Sequence, residues 1–297
     1  MTGRDSLRGA LWALASAGGF GLIPALARLA YDAGASPMAV VAGQFGLGAA
    51  AGAIAAITGP RRYRLGRGAA LRTAGVAAAW FLAAISYLGS IATIPVSLAV
   101  LILYTFPVLT VLASPLFDRG RIDRISALAA LVALAGLALA IGVEATELDG
   151  RGLALAGLAS LSTAATFLLS RRVVVDDGVV AFNIYLHVFC AALVLAWIAI
   201  VGAPALPSTQ AGWVPYLGAC ALYLVAVVMQ FGAIRLTGAG RASVAFHAEP
   251  LVTIAAAAIL LGELLGVREL AGAALVLSAV ALSVRAGRPP RLPDEAS

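Results

Sequence analysis

Lysine is absent, and all twenty basic residues of this 297-residue chain are arginine. Charged residues of both signs together make up 11%, against about 25% in an ordinary soluble domain. The two cysteines, Cys190 and Cys220, each fall inside an apolar run, which excludes a disulfide framework and a multi-cysteine metal site. The two histidines, His187 and His247, lack zinc-motif spacing to each other or to Glu249. No GxxxxGK(S/T) loop occurs, so the chain carries no motif for ATP drive. No nucleophile motif stands out to suggest an enzyme, and no cofactor motif is present. The net charge of +6 does not point to nucleic acid, because the arginines lie in short gaps rather than along one face.

What fills the chain instead is apolar sequence, 62% of all residues. It falls into ten segments of 18 to 25 residues, near 8–30, 36–58, 69–92, 95–116, 125–143, 152–171, 178–201, 211–234, 241–263 and 269–286. Most are apolar on every side, and a bilayer core of about 30 Å needs roughly 20 such residues per span. The expected fold is therefore all-α and integral to a membrane, with ten transmembrane helices and the lipid bilayer as its solvent. Counting arginines in alternate gaps puts seventeen on one side and only Arg28, Arg151 and Arg268 on the other. Short cytoplasmic loops accumulate positive charge, so both termini are expected in the cytoplasm. The first span, although it carries Ala25-Leu26-Ala27 as a small-residue motif, reads as a retained helix because it has a counterpart later in the chain.

That counterpart comes from an internal repeat. The two halves align without a gap at an offset of 143 residues: Arg8-Gly9 on Arg151-Gly152, Arg28 on Arg171, Gly59 on Gly202, Gly89 on Gly232, Pro107 on Pro250 and Thr110 on Thr253. Each half holds five spans, an odd number, so equivalent helices are expected to cross in opposite directions. This is an inverted-topology repeat with a pseudo-two-fold axis in the membrane plane. Residues 1–286 are expected to form a single transporter domain, with repeats near 8–143 and 151–286 and a short cytoplasmic tail at 287–297.

Glu249-Pro250-Leu251-Val252-Thr253 through Gly262-Glu263, with its first-half counterpart Phe106-Pro107-Val108-Leu109-Thr110, resembles the drug/metabolite transporter superfamily, specifically its EamA-type ten-helix members. The resemblance covers about residues 8–286. It implies a secondary transporter of the bacterial inner membrane, a multi-pass protein exporting amino acids or related metabolites, with proton exchange as the coupling. Two positions depart from the family pattern. Gly120 stands where the repeat matches Glu263, and Gln44 stands in the second span where many relatives carry arginine, which removes the cation of an anionic-substrate site.

Ionisable groups inside spans are costly, and each is a functional candidate. Glu249 sits at mid-span immediately before Pro250, where a missing backbone donor frees carbonyls beside a carboxylate; it is the candidate for proton coupling. Pro107 marks the equivalent helix break in the first half. At the 143-residue offset His187 falls on Gln44, His247 on Tyr104 and Tyr223 on Trp80, all near mid-span. These six and Glu249 are the expected substrate-binding residues for a small molecule. Gly262-Glu263 and Arg28 are read as boundary groups reaching water. Two rival readings remain: a membrane-embedded enzyme using Glu249 and His247, and a scaffold or sensor that moves nothing. Neither needs inverted halves. The topology is open to direct test. In a variant lacking Cys190 and Cys220, single cysteines near residues 34, 147 and 207 should label with an impermeant reagent on intact cells. Those near 64, 120 and 174 should not.

Overall fold

Alanine and leucine fill the apolar segments, and in lipid a helix is how one segment satisfies its own backbone. The computed structural model describes residues 3–58, 63, 65–106, 108–110, 112–113, 128, 131–132, 135–136, 138–139, 148–177, 179–237 and 248–286. Among them no strand occurs. The helices are α1 (Gly3–Asp32), α2 (Pro37–Thr58), α3 (Arg67–Ser90), α4 (Val96–Leu103), α5 (Gly150–Asp177), α6 (Val179–Val201), α7 (Gln210–Thr237), α8 (Glu249–Leu261) and α9 (Val267–Ala286). Six of them, α1, α2, α3, α5, α6 and α7, are long and apolar enough to cross a membrane. Their outward residues stay apolar: Ile57 and Ile200 are each 84% exposed, which suits a lipid-facing surface and would be costly in water. Most of the expected span 125–143, the tail 287–297, and both Pro107 and His247 lie outside the described residues.

The expected continuous span 95–116 is interrupted. Helix α4 stops at Leu103, and Tyr104 and Thr105 form a turn before helical geometry resumes at Phe106. Pro107 in the sequence explains the stop, because it has no N–H for the carbonyl of Leu103, four residues earlier.

Contacts gather eight helix ends at one end of the bundle. Arg28 Nη1 at the close of α1 donates to the carbonyl of Ile91 beyond α3 at 2.7 Å. Ser36 N, before α2, donates to Ala205 O, and Ser208 N, before α7, donates to Ala33 O, at 2.9 and 2.8 Å. Gly152 at the start of α5 lies against Thr93 and Ile94. Glu263, just past α8, accepts from Val96 N and Ser97 N at 2.8 and 3.0 Å and so caps the start of α4. At this end α1, α3, α6 and α8 finish, while α5, α7, α2 and α4 begin. In the three described pairs related by 143 residues, α1 and α5, α2 and α6, and α3 and α7, the two helices therefore run in opposite directions.

Two boundary groups do more than reach water. Arg28 ties α1 to α3 and holds Asp32 at 3.6 Å. Glu263 spends its carboxylate on two unsatisfied helix N–H groups, a charge-assisted pairing that water would match only in part. Gly262 makes this possible: at φ 71° it turns the chain left-handed, and Glu263 N closes the helix on Ala257 O at 3.2 Å.

Packing is traded between the halves. Helix α1 lies against α7, and its equivalent α5 lies against α3; α1 also meets α8, as α5 meets α4; α2 meets its own equivalent α6. Neither half encloses a core alone. The seam between α1, α7 and α8 is made by small residues, with Ser16 Oγ donating to Ala226 O at 2.9 Å. A Cβ on Gly21 would lie 2.7 Å from Val252 Cβ and 2.9 Å from Glu249 O, so glycine lets α8 approach α1 at the residue that carries the carboxylate. Gly21→Ala should cost about 1–3 kcal/mol through overpacking, read as a lower melting temperature of the purified protein. Gly18→Ala, where nothing lies within 4 Å, should leave it unchanged or slightly higher.

Candidate functional site

Both helix breaks open onto the same region. At the first, Thr105 N reaches back to Ile102 O at 3.1 Å and Thr105 Oγ1 donates to the same carbonyl at 2.8 Å. With its proton spent there, Thr105 Oγ1 accepts from Ser160 Oγ on α5 at 2.8 Å. At the second, α8 starts at Glu249, with Pro250 in the first turn where a missing N–H costs nothing. The result puts Tyr104 at the end of α4 and Glu249 at the start of α8, facing each other across the repeat. The Tyr104 hydroxyl lies beside the Glu249 carboxylate.

A cavity of about 200 Å³ surrounds this pair, roughly the space of seven liquid waters. Gln44, Trp80, Tyr104, Tyr223 and Glu249 all line it. So do Phe20, Pro24, Tyr87, Phe106, Thr163, Phe167 and Gln230. Among the described lining residues Glu249 is the one acidic side chain, and no basic side chain joins it. Towards the Arg28 end the cavity is capped by a dry layer that includes Leu88, Ile91, Ile94 and Val96, each 3% exposed or less.

The repeat passes through this wall. Phe20 and Thr163, Pro24 and Phe167, Trp80 and Tyr223, Tyr87 and Gln230, and Phe106 and Glu249 are pairs separated by 143, and both members of every pair line the cavity. Trp80 Nε1 donates to the Tyr223 hydroxyl at 3.4 Å, a long bond between equivalent residues. Two groups related by a two-fold axis touch only where the axis runs, so this contact locates it. The expectation drawn from Gln44, Trp80, Tyr104, Tyr223 and Glu249 thus corresponds to one place in the structure. His187 stands apart from the lining, behind Tyr223. Its Nδ1 must donate to the Asn183 carbonyl at 2.9 Å, which leaves Nε2 as the acceptor for the Tyr223 hydroxyl, also at 2.9 Å. Phe45 packs edge-on against both rings. Gly48 admits the imidazole, since a Cβ there would fall 2.9 Å from His187 Cγ.

Sequence reasoning missed Phe20, Tyr87, Phe106, Thr163, Phe167 and Gln230. The 143-residue offset carries a usable signal for two of them: once Trp80 is placed on the axis, Tyr87 two helical turns along α3 and its equivalent Gln230 on α7 follow onto the same wall.

The description of the EamA-like transporter family matches residues 7–142 and again residues 150–285. The chain belongs to this family. The two matches start and end 143 residues apart, the register in which Trp80 meets Tyr223. It is thus a multi-pass membrane transporter of small molecules, and the family's members are transporters rather than enzymes. No curated protein matches the sequence. A solved crystal structure, 19% identical, aligns with a TM-score of 0.59 over 95% of this chain and 96% of that one, which shows a shared fold. Among the described residues of this EamA-like transporter, no group of three His, Cys, Asp or Glu side chains is arranged to hold a metal ion. The axis cluster makes a specific demand on stability. Tyr223→Phe strands the buried Nε2 of His187 and the Trp80 N–H, and should cost about 1–3 kcal/mol. A melting temperature equal to that of the parent protein would show that the hydroxyl is idle.

Proposed function

We propose that this chain is a secondary active transporter of the cell inner membrane that exports a small amine-bearing metabolite, an amino acid or related amine, in exchange for protons. In this reading ten spans form two inverted five-helix repeats in one domain, with both termini cytoplasmic and the Arg28 end outside. The observation that carries it is a lone carboxylate, Glu249, in the wall of a small aromatic cavity crossed by the repeat axis. A transported cation and a proton compete naturally for such a group, because at membrane depth an unpaired carboxylate is the costly state. Substrate-binding roles fall to Gln44, Trp80, Tyr104, Tyr223 and Glu249, with His187 holding Tyr223 in place and His247, next but one to Glu249, as a further candidate.

Alternating access follows from the traded packing. The cavity is closed towards the Arg28 end by the Ile91 and Ile94 layer and by the Glu263 cap on α4. Exchanging the conformations of the two repeats would open that layer and close the opposite side. In this reading the turn at Tyr104 and the helix start at Glu249 lie where the halves would pivot. An enzyme built on Glu249 and His247 gains less support, because the family's members are transporters.

Purified protein in liposomes tests the reading. Glu249→Gln keeps size and hydrogen bonding but cannot ionise. Accumulation driven by a proton gradient should disappear in this variant while membrane insertion persists. Unchanged proton-driven flux would remove Glu249 from the mechanism and leave it a structural role beside Pro250.

A further inference from the structure

We propose that the cargo of this cavity is an organic monocation, an aryl or alkyl amine carrying no carboxylate, in preference to a zwitterionic amino acid. This deepens the transport reading above and rests on it. The argument is one of charge and donor count. Among the described lining residues Glu249 supplies the only charge. A bound monocation neutralises it, whereas a zwitterion leaves the site with a net negative charge at membrane depth, where such a charge is costly.

A substrate carboxylate would also need donors, and part of the wall commits its own. Tyr223 gives its proton to His187 Nε2, and Trp80 gives its N–H to Tyr223. The Tyr87 hydroxyl and the amides of Gln44 and Gln230 remain, but a neutral hydrogen bond contributes less than desolvating a carboxylate costs. Seven aromatic rings line the remaining wall. Their π faces attract a cation and offer nothing to an anion. The volume of about 200 Å³ suits a body the size of a single ring with a short amine arm. Exchange is also simplest for such a cargo, because a proton and a monocation each leave Glu249 neutral during passage.

Binding to the purified full chain in nanodiscs, measured by calorimetry at one pH, tests this with three molecules that share one body. Phenethylamine is the monocation, phenylalanine the zwitterion and 3-phenylpropionate the anion. Phenethylamine should bind, phenylalanine should bind at least about tenfold more weakly, and phenylpropionate should be weakest. Phenethylamine binding should be lost in Glu249→Gln and in Ala83→Trp, which fills the cavity; Ala84→Leu is the milder filling variant if the first does not fold. Phenylalanine or phenylpropionate binding as tightly as phenethylamine, and still lost on filling the cavity, would overturn the monocation class while sparing the transport site. Phenethylamine binding untouched by Glu249→Gln and by both filling variants would put the site elsewhere and overturn both readings. Absence of binding by all three would overturn the class.

Discussion

A carboxyl group at the depth of Glu249 has no bulk water to rely on, and the surrounding helices supply substitutes. Tyr104 lies beside it, α8 begins at it so that the first-turn N–H groups lie nearby, and Gly21 lets α1 close over its backbone. Each of these depends on a helix that stops where a spanning helix would ordinarily continue. The breaks therefore arise from the same constraint as the site. Irregular backbone is tolerated in a bilayer only where protein or a cavity satisfies it. Here Thr105 and Ser160 close one break by hydrogen bonds, and Pro250 opens the other helix without wasting a donor.

The repeat explains why the cavity lies where it does, and its departures from symmetry explain what the cavity offers. Symmetric packing pairs α1 with α7 and α5 with α3, so the axis passes between the Trp80 and Tyr223 side chains. A symmetric wall would present the same chemistry twice. Instead Phe106 opposes Glu249, Tyr87 opposes Gln230, and Gln44 opposes His187. The charge belongs to the second half, while five of the seven aromatic rings belong to the first. A cavity needs that difference to orient a cargo with one polar end, whereas the framework needs the sameness to exchange its two conformations.

Much of this was legible in the chain. Span length gave the apolar helices, and glycine, proline and arginine matches gave the 143-residue register. Midplane polar residues led to Gln44, Trp80, Tyr104, Tyr223 and Glu249 because burial of polar atoms in lipid is rarely idle. What stayed hidden depends on rotation about helix axes. His187 and Gln44 are equivalent in register, yet only Gln44 reaches the cavity, because Gly48 draws the imidazole into the α2–α6 contact. Phe20 and Phe167 gave no signal, since a phenyl ring carries no polarity to betray a cavity wall. Glu263 looked like a solvent-reaching terminus because its partners are backbone N–H groups, which leave no trace in side-chain pattern.

Glu263 also bears on the balance between conformations. A carrier works only if its two states lie within a few kcal/mol, so that cargo or proton binding can shift the population. In this structure Glu263 joins α8 of one half to the start of α4 in the other with two charge-assisted bonds. Its repeat equivalent is Gly120, which offers no carboxylate for the matching bond in the exchanged conformation. The closed arrangement at the Arg28 end is thereby favoured by an interaction that its mirror state lacks at that position. Each hydrogen bond to a charged group contributes about 1.5–3 kcal/mol, enough together to hold the empty carrier shut on that side. In the proposed mechanism opening requires a compensating gain, and neutralisation of Glu249 beneath the Ile91 and Ile94 layer would supply it.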